Sequence, residues 1–145
     1  MTDAFLNFTF FILIFNLLIN RRKLLADRKL LGRWGEKRSE KFLKRKGLKI
    51  LTRNFRCKTG ELDLVMVDSD GGIVFVEVRT RADEKFAEVE DSITSPKKTR
   101  LKRTALYFLA SNNIQDRPCR FDIVTIVLGQ TGRPQIRHYE NAFVP

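Results

Sequence analysis

Residues 61–79 read ELDLVMVDSDGGIVFVEVR, two alternating, largely apolar runs joined by a cluster of turn residues. The first run, 61–68, and the second, 73–79, each have the length and residue types of a β-strand. The four residues between them, 69–72 (SDGG), are typical of a tight turn. The segment therefore predicts a β-hairpin.

Each strand of this hairpin carries an acidic side chain among apolar neighbours. If the turn pairs Asp68 with Gly72, then Asp63 lies opposite Glu77 on one face, with Cβ atoms about 4.5–5.5 Å apart. Two carboxylates at this separation repel each other unless a cation is shared between them, and carboxylate oxygens suit Mg²⁺ or Mn²⁺. The hairpin thus predicts a divalent-cation site. The alternative is that both acids face solvent, or pair with the arginines that follow Glu77.

Helix and strand patterns continue on both sides of the hairpin. A first helix is predicted to end at Gly47, because glycine readily adopts the left-handed conformation that follows many helix C-termini. A second is predicted to begin at Ser95-Pro96, an N-cap followed by proline in the first turn. The predicted elements are a helix 31–46, strands 48–56, 61–68 and 73–79, a helix 95–111, a strand 121–128 buried on both faces, and a short strand 135–139. This α-β-β-β-α-β-β order predicts an α/β fold.

Two charged residues fall on the predicted buried sides of these helices. Glu36 precedes Ser39 by three positions and Leu43 by seven, and Lys97 precedes Leu101 by four. A charge on a buried side costs free energy unless it has a partner, and the first turn of a helix disfavours a cation. Lys97 is therefore expected to face an anionic group. The alternative for both residues is an edge position with a snorkelling side chain.

The net charge is +11, from 28 Lys and Arg against 17 Asp and Glu. Most of the basic excess lies in residues 21–60, which hold 16 basic residues and three acids. Such an excess predicts a polyanionic partner, either nucleic acid or an anionic membrane surface. A solvated basic helix face is the alternative.

The N-terminal stretch 4–19 is apolar and is followed by three basic residues. As a helix its 16 residues would span about 24 Å, less than the roughly 30 Å hydrocarbon core of a bilayer. Three interpretations stay open: a marginal membrane anchor, an interfacial helix, or an extension from a start codon assigned too far upstream. All three place a working domain at 21–145, after a segment 1–20, in the cytoplasm.

Several residues of reactive type are expected to be structural. Cys57 and Cys119 are far apart, which excludes a CxxC redox motif or a zinc ribbon and predicts two reduced thiols. His138, the single histidine, lies far from the acidic motifs in sequence. Asp122 opens a buried strand and is expected to form hydrogen bonds within the core.

Five short motifs closely resemble those of the bacterial YraN-type family, over about residues 30–144. They are Gly32–Glu36 (GRWGE), Gly60–Leu64 (GELDL), Val74–Arg81 (VFVEVRTR), Arg120–Asp122 (RFD) and Asn141–Phe143 (NAF). This largely uncharacterised family is viewed as a branch of the restriction-endonuclease-like PD-(D/E)xK nucleases, related to Holliday-junction resolvases. The resemblance implies an α-β-β-β-α-β core with a mixed sheet.

The resemblance also implies roles for particular residues. Asp63 and Glu77 match the two motif acids, and Glu36 matches the additional first-helix carboxylate of the resolvase branch. Arg79 stands where the superfamily usually has lysine, and arginine stays protonated, so it positions groups or stabilises charge only. Either Lys97 supplies the missing amine, or hydrolysis is weak, or the chain binds nucleic acid without cutting it.

The hypothesis from the sequence is therefore a metal-dependent endonuclease acting on structured DNA. Mg²⁺ or Mn²⁺ would be held by Asp63, Glu77 and Glu36, while Arg79 and Lys97 offset developing charge. Contacts to flanking phosphates are expected from Arg33, Lys37, Lys44, Lys58 and Arg81. The alternative is a non-catalytic nucleic-acid-binding module on the same fold. Resolvase relatives cut as dimers, so a homodimer is a further expectation from the resemblance.

Overall fold

The structure, a computed structural model, describes residues 19–82, 93–129 and 133–143. The expectations for the apolar N-terminal segment fall, apart from Ile19 and Asn20, outside these residues. Residues 19–26 are helical. Within the described ranges, no helix combines the length and the apolar character needed to cross a bilayer.

Every element predicted from the sequence is present, with small shifts at the ends. The elements are α1 Arg28–Arg45, β1 Lys49–Cys57, β2 Gly60–Val67, β3 Ile73–Arg81, α2 Ser95–Ser111, β4 Cys119–Val127 and β5 Gln135–Phe143. Two predictions were wrong in detail. The N-cap of α2 is Thr94 instead of Ser95, without a side-chain cap hydrogen bond, and β5 extends four residues beyond the predicted Tyr139.

The five strands form one mixed sheet in the order β1-β2-β3-β4-β5. All neighbours are antiparallel except β3 and β4, which are parallel and are connected through α2. The predicted hairpin is confirmed: the amide of Asp68 donates to the carbonyl of Gly72 at 3.0 Å, and Val67 pairs with Ile73. The fold is thus the expected α/β class with a mixed sheet.

The helices pack on opposite faces of this sheet. On the α1 face, Leu43 packs with Met66, Val76 and Val124. On the α2 face, Phe108 packs in a cluster of aromatic and aliphatic side chains that includes Phe55, Phe75, Phe121 and Phe143. Alternate residues of β3 therefore enter different cores, and both faces of the central strands are buried.

Both ends of α1 are capped, and the C-terminal cap is the one that the sequence predicts. The Asp27 side chain accepts hydrogen bonds from the amides of Lys29 and Leu30 at 2.8 and 3.1 Å. At the other end Gly47 has φ +96°, and the amide of Leu48 donates to the carbonyl of Leu43. This is the six-to-one bond of a Schellman motif, as the position of Gly47 predicts.

Gly35 of α1 lies directly against Thr80 of β3. A Cβ atom at this position would lie 1.9 Å from Oγ1 of Thr80. We expect Gly35→Ala to destabilise the protein by about 1–3 kcal/mol in urea unfolding, despite the better helix propensity of alanine. Thr80→Ala should relieve much of this cost in the double variant. Equal costs of Gly35→Ala in both backgrounds would contradict the assigned contact.

Asp122 and His138 form a buried polar cluster at the start of β4. The Asp122 carboxylate is fully buried and accepts hydrogen bonds from His138 Nε2 at 2.9 Å, from the Asn141 amide at 2.9 Å and from Arg120 Nε at 3.0 Å. Arg120 also reaches Asp68 in the hairpin turn at 2.7 Å. The cluster joins β4, β5 and the turn, in agreement with structural roles for Asp122 and His138.

Candidate active site

The two acids of the hairpin lie where β2 and β3 stop pairing. Regular pairing extends from Val67–Ile73 to Leu64–Val76, one step before Asp63 and Glu77. At this step an oxygen of the Asp63 carboxylate accepts the backbone amide of Val78 at 2.7 Å. Glu77 is buried, so the alternative in which both acids face solvent is wrong.

Two basic groups contact Glu77. The Lys97 ammonium, from the first turn of α2, pairs with Oε1 of Glu77, and Nε of Arg79 lies 3.3 Å from the same oxygen. The expectation that Lys97 faces an anionic group is thereby confirmed. The pairing also explains how a cation is accommodated at a helix N-terminus, where the helix dipole opposes it.

Burial raises the pKa of Asp63 to about 7, and the neighbouring charge of Glu77 acts in the same direction. The hydrogen bond from Val78 and the charge of Lys97 oppose this rise, whereas the charge of Glu36 adds to it. Glu36 belongs to α1, on the other face of the sheet, so the negative charges of Glu36 and Glu77 reach Asp63 from both faces. Near neutral pH, Asp63 is consequently poised between its neutral and ionised forms.

A cleft of about 660 Å³ opens over this group, between the β1–β2 turn and the start of α2. Asp63, Glu77 and Lys97 line it together with residues of the turn and of α2, which are Arg56, Cys57, Lys58, Thr59, Gly60, Glu61, Arg100 and Leu101. Gly60 has φ +147°, and a Cβ atom there would lie 3.0 Å from Thr104 Oγ1 and 3.1 Å from Arg100 Cγ. Glycine is therefore required where the turn meets α2.

Of the five basic residues predicted to contact phosphate, the structure places one at this cleft. All five are exposed, but only Lys58 is among the residues that line the cleft. Lys37 and Lys44 line a separate groove along α1, where the Lys44 ammonium is 2.6 Å from a carboxylate oxygen of Glu40. Arg33 and Arg81 are exposed at other positions.

Sequence reasoning missed two arginines of the cleft, Arg56 and Arg100. Arg56 lies 3.3 Å from Glu61, also at the cleft. Arg100 follows Lys97 by three residues, which places the two on the same side of α2. Recognising it required knowing which flank of the helix meets the β1–β2 turn.

Sequence reasoning also passed over Glu40, which is buried on α1. Its carboxylate accepts two hydrogen bonds from Arg53, both at 2.7 Å. These bonds, followed by the contact with Lys44, lower the pKa of Glu40 to about 2 against the opposing effect of burial. Glu40 therefore joins α1 to the edge strand β1 and lies outside the cleft.

The donor set of the cleft fits a hard divalent cation. Asp63 and Glu77 offer carboxylate oxygens, and burial followed by the charge of Glu77 raises the pKa of Asp63; a bound cation would oppose both effects. Across residues 19–82, 93–129 and 133–143, no group of three His, Cys, Asp or Glu side chains is arranged to hold a metal ion. A site here would thus have two protein carboxylates, with Glu36 contributing through its charge.

The chain is thus an α/β protein with a two-carboxylate cleft, and comparison with known sequences identifies its family. The chain belongs to the uncharacterised protein family UPF0102, whose model matches residues 35–126. A UPF0102 protein of Pelotomaculum thermopropionicum is 45% identical over 121 residues, which cover 82% of this chain and all of that protein. The resemblance to an uncharacterised bacterial family is thereby confirmed.

Two solved structures show weaker similarity. An EndoMS complex with double-stranded DNA matches 52% of this chain and 26% of its own, with 25% identity and a TM-score of 0.30. SfsA of Pyrococcus furiosus, in complex with Ca²⁺, matches 74% of this chain and 63% of its own, with 17% identity and a TM-score of 0.38. Neither similarity is close enough to assign an activity.

Proposed function

We propose that this protein is a metal-dependent nuclease that hydrolyses phosphodiester bonds of structured DNA. The observation that carries the proposal is the Asp63–Glu77 pair at the end of the β2–β3 ladder, with Lys97 on Glu77 and a cleft above. Placing the half-buried Asp63 carboxylate beside the buried Glu77 carboxylate destabilises a fold, so a chemical role accounts for the pair better than a structural role does.

Asp63 and Glu77 would hold Mg²⁺ or Mn²⁺ within the cleft. When bound, such an ion lowers the pKa of a coordinated water and polarises the scissile phosphate. Asp63, with a pKa of about 7, releases its proton readily near neutral pH and would then offer an anionic carboxylate to the ion. Glu36 strengthens the negative potential that attracts the cation.

The basic groups of the cleft act on the substrate. Arg79 cannot accept a proton, so its guanidinium holds Glu77 in place and offsets charge on the phosphate. The ammonium of Lys97 is held at Glu77, one of the two proposed metal ligands. From there it would stabilise the negative charge that develops on the phosphate during cleavage. Lys58 and Arg100, at the rim, would contact the flanking phosphates.

A second candidate is a nucleic-acid-binding module without catalysis. It is favoured by Arg79, which stands where nucleases of the resembled superfamily usually have lysine. It is also favoured by Lys97, whose ammonium compensates the charge of Glu77. In such a module the cleft would bind phosphate, and the carboxylates would hold Lys97 in position.

Cleavage of labelled junction, flap, duplex and single-stranded DNA by the full chain distinguishes the two candidates. With Mn²⁺ we expect cleavage of at least one structured substrate, and none with EDTA. Glu77→Gln should lower the rate by at least about 100-fold, because it removes a ligand and the partner of Lys97. Glu61→Gln is the matched control, since Glu61 lines the same cleft but contacts only Arg56 among the described ion pairs.

Binding of every DNA with no cleavage of any would reject the nuclease and support the binding module. Cleavage that Glu77→Gln and Glu61→Gln affect equally would place the chemistry elsewhere in the chain.

A further inference from the structure

A second groove continues from the cleft along α2. It has a volume of about 330 Å³ and is lined by Lys58, Thr59, Pro96, Thr99, Arg100 and Arg103. Lys58, Thr59 and Arg100 line both the groove and the cleft, so the two are continuous. A molecule that reaches Asp63 and Glu77 therefore has a direct path along this groove.

The groove follows a single flank of α2. Pro96, Arg100, Arg103 and Tyr107 are spaced by four, three and four residues, which places them in one row on the helix surface. The row lies on the side of α2 away from the core, because Leu101, which follows Arg100, is buried in the core. The row thus presents two guanidinium groups and then an aromatic ring.

The positive charge of the groove is available to a ligand. Lys58, Arg100 and Arg103 are exposed, and among the described residues no carboxylate forms an ion pair with any of them. The aliphatic part of Arg100 lies over Gly60, so its guanidinium projects from a packed base. These features favour a binding site for a polyanion over a solvated basic helix face.

Tyr107 provides a ring surface at the far end of the row. Its side chain is 52% exposed, and its ring is 6.3 Å from that of Phe55, centroid to centroid. Phe55 in turn packs edge-to-face on the buried Phe108 at 5.0 Å. The tyrosine is consequently supported from below by the core and open on its outer side, the arrangement that stacking of an unpaired base requires.

We propose that this groove binds a single-stranded nucleic-acid arm, with phosphates on Lys58, Arg100 and Arg103 and a base stacked on Tyr107. Tyr107 lies ten residues after Lys97, a helix rise of about 15 Å, enough for about four stacked nucleotides at roughly 3.4 Å each. A duplex keeps its base faces inside the stack, whereas a single strand presents them to an aromatic ring. This proposal rests on the proposed function and adds the substrate class of the nuclease: nucleic acid with a single-stranded segment beside the bond to be cut.

Fluorescence anisotropy of the full chain in EDTA tests the groove without cleavage. The probes are labelled 12-nucleotide single strands of DNA and of RNA, and a blunt DNA duplex. Tyr107→Ser is expected to weaken single-strand binding by about 5- to 100-fold and duplex binding much less, while Tyr107→Phe keeps the affinity. Leu106→Ser is the matched control, because Leu106 is also exposed but lies outside the row.

Arg103→Ala should weaken single-strand binding and reduce the slope of log affinity against log salt by about 0.7. Lys102→Ala, the same charge change at the neighbouring position outside the row, should leave the slope unchanged. Tighter binding of the DNA or of the RNA strand identifies which sugar the groove accepts. Wild-type affinity of both Tyr107→Ser and Arg103→Ala for single strands, or equal loss with their controls, overturns the inference.

The outcome separates this inference from the proposed function. Selective loss of single-strand binding in Tyr107→Ser, with no cleavage by the wild type in Mn²⁺, upholds the groove and rejects the nuclease. Unchanged single-strand binding in both Tyr107→Ser and Arg103→Ala, with Mn²⁺-dependent cleavage that Glu77→Gln abolishes, rejects the groove and upholds the nuclease.

Discussion

Replacing Asp63 by asparagine is expected to abolish Mn²⁺-dependent cleavage and, in the absence of metal at pH 8, to stabilise the protein. Asparagine keeps the oxygen that accepts the Val78 amide, but it removes the charge that faces Glu77. Cleavage should fall by at least about 100-fold because one of two carboxylate ligands is lost. A single substitution would thus move activity and stability in opposite directions.

The sign of the stability effect follows from the pKa of Asp63. Its value of about 7 in the folded protein lies above the ordinary 3.8, so between these values the folded state binds more protons than the unfolded state. The free energy of unfolding of the wild type therefore falls as pH rises from about 4 to about 7. Asp63→Asn lacks this loss, so its advantage grows with pH and reaches roughly 2–4 kcal/mol at pH 8.

Thermal melting in EDTA at pH 4.5 and pH 8 measures this difference. A gain of about 2 kcal/mol raises the Tm of a protein of this size by roughly 5–8 °C. Glu61→Gln, an exposed substitution in the same cleft, should shift the Tm little at either pH. A Tm gain in Asp63→Asn that is equal at both pH values, or a loss at pH 8, would contradict the assigned electrostatics.

Asp122→Ala is expected to cause the largest loss of stability, about 3–5 kcal/mol in urea unfolding. The substitution leaves Arg120, His138 and the Asn141 amide without their common acceptor inside the protein. Asp122→Asn should also destabilise strongly, because its amide nitrogen meets the guanidinium of Arg120 as a second donor.

The pH dependence of this cluster is opposite to that of Asp63. Burial alone would raise the pKa of Asp122, but the hydrogen bonds from His138, Asn141 and Arg120 hold it below its ordinary value. The stability that Asp122 contributes is therefore present above about pH 4 and is lost as pH falls through the folded-state pKa.

Asp70→Ala, in the exposed hairpin turn, serves as the control for Asp122→Ala. A cost below about 1 kcal/mol for Asp122→Ala would show that the cluster does not support the fold. Folded Asp122→Ala protein at low temperature should keep Mn²⁺-dependent cleavage, since Asp122 lies outside the cleft.

Local patterns were sufficient to predict the elements and the acid pair. The alternation of 61–67 and 73–79 and the turn between them set which residues share a face, because strand geometry repeats every two residues. Asp63 and Glu77 could thus be placed together before any tertiary contact was known. The end of α1 was equally predictable, since Gly47 is the residue that permits a left-handed C-terminal turn.

The residues that complete the cleft depend on how α2 docks on the sheet. Periodicity placed Lys97 on the buried side of its helix, but its partner Glu77 is 20 residues away and is set by packing. Arg56 and Arg100 line the same cleft because the β1–β2 turn, through Gly60, packs closely against α2. The assignment of Arg33 and Lys37 to the phosphate path also depended on which face carries α1.

The amino-acid sequence of this chain was thus enough to predict its α/β class, the hairpin, the paired acids and the inward-facing lysine. These follow from interactions between near neighbours, whose geometry is repeated along a helix or strand. The cleft, the row Arg100–Arg103–Tyr107 and the Asp122–His138 cluster are products of the tertiary structure. They join residues far apart in the chain, whose positions follow from the packing of two cores on opposite faces of one sheet.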